Sequence, residues 1–394
     1  MVGRRLVINA DDPETYRITV SNGYDAKGKQ IRKSMTWDPA PGMTKKQIEK
    51  ELDRQAVLFE EKVKSGTAAD SSMKLATFAE LWMEQHCKKQ LAPKSIVENE
   101  KLLRRVVAAL GHLRMDKIKP LHIQQFYDNL AEVCVNEKTG GRLSNSTIMH
   151  YHRLLSSMFN RAVLWGIIPA SPLKVQPPKV EQKEAAHLDE DQAAALLGAL
   201  EDEPIQYRTM IDLLLYTGLR KGELLGLEWR DIDFEKGLMQ ILRSSQYIPG
   251  TGIITKGPKN KKSQRTIKCS PSVVNMLKEY RVWQTEQRLA VGDRWEDCGR
   301  LFTSWDGHPM HPDTLPRWFD KFLKRHGLPD INIHGLRHTC ASLMIASHVD
   351  LRTVSRRLGH AQVSTTGNIY AHQIQSADEA AAGAIELALT RENR

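Results

Sequence analysis

The sequence predicts a multidomain α+β protein. A small β-sheet-plus-helix module is expected at 1–70, an all-helical domain at 74–175, and a mainly helical domain with a small β-sheet at 185–394. Three observations carry this expectation. At 394 residues the chain is long for a single hydrophobic core. Its apolar residues alternate as far as Trp37 and from Leu75 recur at helical spacing. Two stretches break the pattern: Ser65-Gly66-Thr67 through Ser71-Ser72, and the prolines Pro169, Pro172, Pro177 and Pro178.

In the first module, Tyr16 to Val20 and Ile31 to Trp37 alternate as strands do, with turn signals at Asn22-Gly23 and Lys27-Gly28-Lys29 between them. A helix follows from Thr44 to Lys64, with Ile48, Leu52, Val57 and Phe59 as its apolar positions. Arg17, Lys27, Lys29, Arg32 and Lys33 crowd the strands and the hairpin. In the second domain Thr77 is a candidate cap for a helix carrying Phe78, Leu81 and Trp82. Pro93 suits the first turn of the next helix, whose apolar face is Ile96, Leu102, Leu103, Val106 and Val107. Its other face offers Lys94, Lys101, Arg104 and Arg105. Leu121 to Leu130 and Ser144 to Trp165 are two further helices.

The third domain turns helical again at His187, and Ile211 to Tyr216 is an apolar helix running into Thr217-Gly218. Arg220 stands at the start of a new helical turn, where main-chain N–H groups attract phosphate. The Leu224-Leu225-Gly226-Leu227 sequel anchors that segment in a core. Strands are expected at Leu238–Leu242 and Thr266–Lys268, with Thr255 to Arg265 as a basic β-hairpin between them. Leu301 to Ser304 is expected as another short strand. Pro312 to Arg325 reads as a helix with Leu315, Trp318, Phe319 and Phe322 on one face.

A formal net charge of +10 and a pI near 9.3 favour a polyanionic partner. Five scattered cysteines without a close pair fit reduced thiols and offer no zinc spacing. No run approaches the ~18 apolar residues of a membrane span, and the N-terminus lacks an apolar signal core. A cytoplasmic protein with no membrane partner is expected.

The stretch from His334 to His372 is the richest in chemistry. It reads His-Gly-Leu-Arg-His-Thr at 334–339, Leu-Gly-His at 358–360, and then Tyr370. Arginine forks bind phosphate oxygens in pairs, imidazoles hold or move protons near neutrality, and a phenol can be a covalent nucleophile. Thr217 to Glu223 supplies a second arginine upstream. His334 and His338, four apart, could also face one side of a helix as zinc ligands. No carboxylate follows in the His-Glu-x-x-His manner, however, and no third ligand stands nearby.

The ordered series Arg220, a lysine in the basic segment, His334-x-x-Arg337, His360 and Tyr370 resembles the catalytic domain of the tyrosine recombinases, or phage integrase family. The resemblance covers roughly 75–390. It implies that Tyr370 attacks a scissile DNA phosphate and that Arg220 and Arg337 hold its non-bridging oxygens. Lys259 would protonate the leaving oxygen, with Lys256, Lys261 and Lys262 as competitors by position. His334 would hold the phenol proton, His360 would hydrogen-bond the phosphate, and Glu223 would orient Arg220. A phosphotyrosyl bond stores the phosphodiester energy, so the resemblance implies no cofactor, no ATP and no metal. The implied partners are double-stranded DNA at core and arm-type sites, a homo-tetramer on DNA, and accessory DNA-bending or excision proteins.

The same resemblance extends outside the catalytic residues. Module 1–70 looks like the arm-type DNA-binding domains of some integrases, and the helical domain like their core-binding (SAM-like) domain. An Ala-rich helical tail from Gln373 to Leu389 would dock on a neighbouring protomer or pack on its own domain. Gly367 departs from the larger residue usual in the family and would weaken a helix carrying Tyr370 by about 1 kcal/mol relative to alanine. A type IB topoisomerase and a non-catalytic DNA-binding regulator are the alternatives. The separate N-terminal module speaks against the first, and the intact series of reactive groups against the second.

Overall fold

The computed structural model describes residues 5–9, 12–24, 28–64, 73–136, 139–181, 186–257, 264–360, 362–364 and 367. They belong to two compact units, Met1–Glu181 and Gln182–Arg394.

The first unit opens with three antiparallel strands in the order β1 (Arg5–Asn9), β2 (Asp12–Tyr24) and β3 (Gln30–Trp37), followed by helix α1 (Lys45–Lys64). Period-two alternation sends Ile18 and Val20 of β2 onto α1, where they meet Leu52, Ala56, Phe59 and Val63. The buried positions of α1 are spaced 4, 3 and 4 apart, so the stripe passes through Ala56; Val57, expected on it, is 40% exposed. The register pairs Arg17 with Thr36 and Ser21 with Arg32, and directly opposed residues share a face. Arg17 and Arg32 therefore lie together on the sheet face away from α1, whereas Lys33, opposite Val20, is on the helix side. Lys27 lies outside the described residues.

Helix α2 (Leu75–Trp82) runs through one π-helical turn, Met83–Cys87, into α3 (Lys88–Gln90); α4 (Pro93–Leu110), α5 (Pro120–Leu130) and α6 (Asn145–Leu164) complete a helical block. Thr77 does not cap α2, which starts two residues earlier. The amides of Leu75 and Ala76 instead donate to the carbonyls of Leu113 and Gly111 at 2.9 and 3.1 Å, so main chain satisfies the free donors of the helix start. Prolines at the first position of α4 and α5, and Ser144 Oγ accepting from the Thr147 amide, set the other starts. Leu75, Phe78, Trp82, Ile123, Leu155 and Phe159 fill the core. On α4, Lys94, Lys101 and Arg104 are exposed, while Arg105 donates to the Val135 carbonyl and belongs to the packing.

The second unit is built round a helix buried on nearly every side. Its elements are α7 (Glu190–Ala199), α8 (Ile205–Thr217), α9 (Lys221–Leu224), strands β4 (Ile232–Asp233), β5 (Leu238–Ile241), β6 (Ser244–Ile248), β7 (Gly252–Lys256) and β8 (Arg265–Lys268), then α10 (Pro271–Val291), α11 (Thr314–Arg325), α12 (Ile333–Ala346) and α13 (Leu351–Leu358). Met210, Ile211, Leu213 and Leu214 of α8 are fully buried against α10 and α12. Each such side chain contributes roughly 1.5–3 kcal/mol, which makes α8 the axis of the unit. Strands β4, β5 and β8 form one sheet, and β6 and β7 a separate hairpin.

One expected element is corrected and one is only partly described. A hairpin stands at β6–β7, where Tyr247 pairs with Ile253 and Ile248 with Gly252 about a turn at Pro249-Gly250-Thr251; of the hairpin expected at 255–265 only the two ends are described, in β7 and β8. The basic run begins where β7 ends, and 258–263 lie outside the described residues. Leu301–Ser304 is not a strand but a single bridge between Thr303 and Pro309, because the chain turns back at Trp305-Asp306-Gly307 on one side and the Leu301 amide donates to the Leu227 carbonyl on the other. Among the described residues no helix is long and apolar enough to cross a membrane.

Candidate active site

Gly218 ends α8 in the left-handed region at φ 64°, and a Cβ there would overlap the Leu358 side chain and come within 3.3 Å of Cys340 Sγ. Only glycine meets both demands, and it lets the end of α8 approach α12 and α13. Two residues later Arg220 caps α9. Its amide donates to Glu223 Oε2 at 3.0 Å and its Nη1 to Glu223 Oε1 at 2.9 Å. Its Nη2 reaches the Gly359 carbonyl at 3.2 Å.

Helix α12 is started by Asn332, whose side-chain oxygen accepts from the amides of His334 and Gly335. That start fixes the phase of the helix. Arg337 falls on the buried side, 2% exposed, and His334 on the exposed rim. Arg337 Nη1 donates to the Gly218 carbonyl at 2.6 Å and Nη2 to the Leu358 carbonyl at 2.8 Å. Thr339 Oγ1 accepts from the Leu188 amide at 2.9 Å and donates to the Gly335 carbonyl, which holds the entry segment of the unit on α12.

Helix α13 ends in a left-handed Gly359 at φ 69°, with the His360 amide donating to Ser355 and the Gly359 amide to Arg356. This pair of bonds is a Schellman closure, and it sets His360 just beyond the helix end. Arg357 reaches from the same turn to the carbonyls of Tyr216 and Lys268, at 3.0 and 3.2 Å, so α13 is tied to α8 and β8 at once.

The electrostatics follow from this crowding of cations. Burial lowers His360 to about 4, helped by Arg337 and Arg220. Burial and the neighbouring His334 bring His338 to about 4, and its ring stands edge-on to that of His334 with centroids 4.8 Å apart. His334, although on the rim, is lowered by partial desolvation among its packed neighbours, then by Arg337 and Arg220. Imidazoles so depressed are neutral at pH 7 and can still accept a proton. Burial alone would raise Glu223, but the hydrogen bonds and charge of Arg265, joined by Arg220, hold it down at about 2. The result is a fixed carboxylate, two oriented guanidiniums and neutral imidazoles at one surface, an arrangement suited to an anion.

Four of the six residues expected from sequence, Arg220, His334, Arg337 and His360, are brought together. Lys259 and Tyr370 lie outside the described residues, as do Lys261, Lys262 and the expected helical tail. Lys256 is the exposed end of β7. Arg300 fixes that end: it is buried, and donates to the Gly226 carbonyl and to Thr255 Oγ1, each at 2.6 Å. Sequence reasoning missed Arg265 and Arg300. Arg265 carried a readable signal, since it stands two residues before the buried Ile267 on the core side of a strand.

Known proteins resemble this chain in sequence family and in fold. Residues 186–376 match the phage integrase family, and residues 74–131 match the phage integrase N-terminal SAM-like domain. The chain is 31% identical over 384 residues to a tyrosine recombinase XerC-like protein of Caldanaerobacter subterraneus subsp. tengcongensis, covering 92% of this chain and 93% of that one. Its fold is similar to that of the Tn1549 transposon integrase in complex with transposon right end DNA, with a TM-score of 0.66 at 20% identity over 79% of this chain and 100% of that one. It is also similar in fold to a lambda integrase tetramer bound to a Holliday junction, with a TM-score of 0.55 at 17% identity over 92% of this chain and 94% of that one.

Proposed function

The chain belongs to the phage integrase family of tyrosine recombinases, and on that premise we propose how its residues carry out site-specific recombination. Tyr370 Oη attacks the scissile phosphorus and forms a 3′-phosphotyrosyl bond as the bond to the 5′ oxygen breaks. Lys259 gives its proton to that leaving oxygen. The phenol proton, held with a pKa of ~10 in free tyrosine, passes to His334. Arg220 and Arg337 stabilise the charge spread over the non-bridging oxygens, and His360 hydrogen-bonds one of them. Religation is the same sequence reversed on a new 5′ hydroxyl, so the phosphodiester energy is kept and neither ATP nor a metal is needed.

The observation that carries this reading is the meeting of Arg220 and Arg337 on the carbonyls of Gly218, Leu358 and Gly359. Segments far apart in sequence converge there, and they present two guanidiniums beside His334 and His360, which sense both cations. A solvated surface arginine would have no such carbonyl supports.

The partner is double-stranded DNA at a core site, held by the helical domain 74–175 and the catalytic domain 185–394, with exposed Lys94, Lys101 and Arg104 against the backbone. The module 1–70 takes an arm-type site. The acting assembly is a homo-tetramer on two duplexes, as in the lambda integrase tetramer on a Holliday junction. Its task is to integrate or excise a mobile element such as a prophage or a conjugative transposon, in the bacterial cytoplasm and with accessory bending or excision proteins.

The test is recovery of DNA bound covalently to the chain in cells, under denaturing conditions. The wild type is expected to yield adducts clustered at short sequences, and those sequences to recombine in a two-site assay. Tyr370→Phe is expected to bind the same DNA and yield no adduct. Supercoil relaxation without strand exchange would make the chain a topoisomerase, and binding without any adduct would make it a regulator.

A further inference from the structure

Arg265 opens β8 on its core-facing side: its register partner Ile241 is buried, as is Ile267 two residues on. An arginine there is tolerated only if fully paired. Nη2 and Nη1 donate to the two carboxylate oxygens of Glu223 at 2.8 and 3.1 Å, and Nε donates to the Arg357 carbonyl at 2.7 Å. The side chain is 6% exposed. A Cβ on Gly359 would stand 2.8 Å from Arg265 Nη1, so the guanidinium packs directly under the turn that precedes His360.

Each carboxylate oxygen of Glu223 is shared. Oε1 accepts from Arg220 Nη1 and Arg265 Nη1; Oε2 accepts from the Arg220 amide and Arg265 Nη2. One negative charge therefore stands between two guanidiniums, and the trio keeps a net positive charge. Without Arg265 the carboxylate would be free to turn wholly onto Arg220 and neutralise it.

We propose that Arg265 is a positioning residue for strand cleavage. By clamping Glu223 on one side and the Arg357–Gly359 turn on the other, it fixes the Arg220 guanidinium and His360 relative to one another and keeps the charge of Arg220 available to the phosphate. This rests on the reading that Arg220 and His360 hold the scissile phosphate.

The experiment uses the full chain with Arg265→Gln and Arg265→Lys. Single-turnover cleavage of a nicked half-site, made from DNA recovered on the wild-type chain, is measured across pH. Gel shift on the same DNA and thermal melting are measured beside it. Arg265→Gln is expected to bind as the wild type does and to cleave slower by on the order of a hundredfold, the effect of a small misplacement of reacting groups. Its acid limb is expected to move to higher pH, because the buried Glu223 loses the cation that opposes its protonation. Arg265→Lys keeps the charge but not the fork, so the limb should stay near its wild-type position while the rate still falls. Wild-type rate and limb in Arg265→Gln would overturn the proposal. So would parallel loss of melting temperature, binding and cleavage in both variants, which marks a merely structural pair. A wild-type chain that binds this DNA without cleaving it would bring down the reading of the site, and this inference with it.

Discussion

Both terminal nitrogens of Arg337 donate to main-chain carbonyls, and that geometry makes lysine a poor substitute. An ammonium is a point donor and cannot span two carbonyls while facing a phosphate. Arg337→Lys and Arg337→Ala are each expected to slow cleavage by about 3 kcal/mol of transition-state stabilisation, with DNA binding reduced far less. Single-turnover cleavage beside gel shift checks this. The histidines bear on stability. His338 and His360, near 4 in the folded chain, stand below the ordinary 6.5, so the unfolded chain takes up their protons first as pH falls. The stability that these two histidines contribute is whole above 6.5 and is lost as pH falls to about 4. The chain should melt lower at pH 5 than at pH 7, and His338→Gln should narrow that difference; equal wild-type melting at both pH values would contradict the assignment. The His334-x-x-Arg337 pair was legible because its spacing is local. For Arg265 the strand alternation showed the core-facing place but not the partner, Glu223, which lies 42 residues upstream.

Helix ends, more than helix bodies, determine where the reactive groups stand. Gly218→Ala would force φ 64° on a residue with a Cβ and push that carbon into Leu358. A loss of about 1–3 kcal/mol is expected from the overlap and strain. Cleavage should suffer beyond this, since the carbonyl supporting Arg337 moves with it. Denaturant melts and cleavage rates on the same preparation check both effects, and a variant as stable as the wild type would show that the turn has room to relax. Legibility at this scale followed how cleanly each element segregates its side chains. The helical block 75–164 was readable from its apolar spacing and prolines. Helix α10 was passed over because Gln284 holds a core position on it, donating to the Leu301 carbonyl at 2.7 Å and accepting from Trp229 Nε1 at 2.6 Å. The β6–β7 turn had a fair signal in Pro249-Gly250, and the run of lysines beyond it drew the reading away.

Across the whole chain, chemistry and DNA address are expected to separate. Removing 1–70 takes away the sheet face with Arg17 and Arg32 and none of the four described site residues. The truncated chain should still form the covalent adduct at a core site and lose integrative recombination. The isolated module should protect a distinct DNA sequence with a steep salt dependence, since phosphate contacts release counterions. Full recombination by 71–394, with no second protected sequence, would reduce the module to an appendage. The carbonyls under Arg337 and Arg220 bear on how such a site withstands mutation. Those oxygens belong to Gly218, Leu358 and Gly359, and exchanging a side chain there leaves the oxygen in the chain. The grip on both arginines is thus inherited through the path of the backbone, not through the identity of partner residues. Codon changes at Leu358 alter packing but keep the acceptor, whereas at Gly218 and Gly359 a single change bends the path itself, and there the site is open to loss in one step.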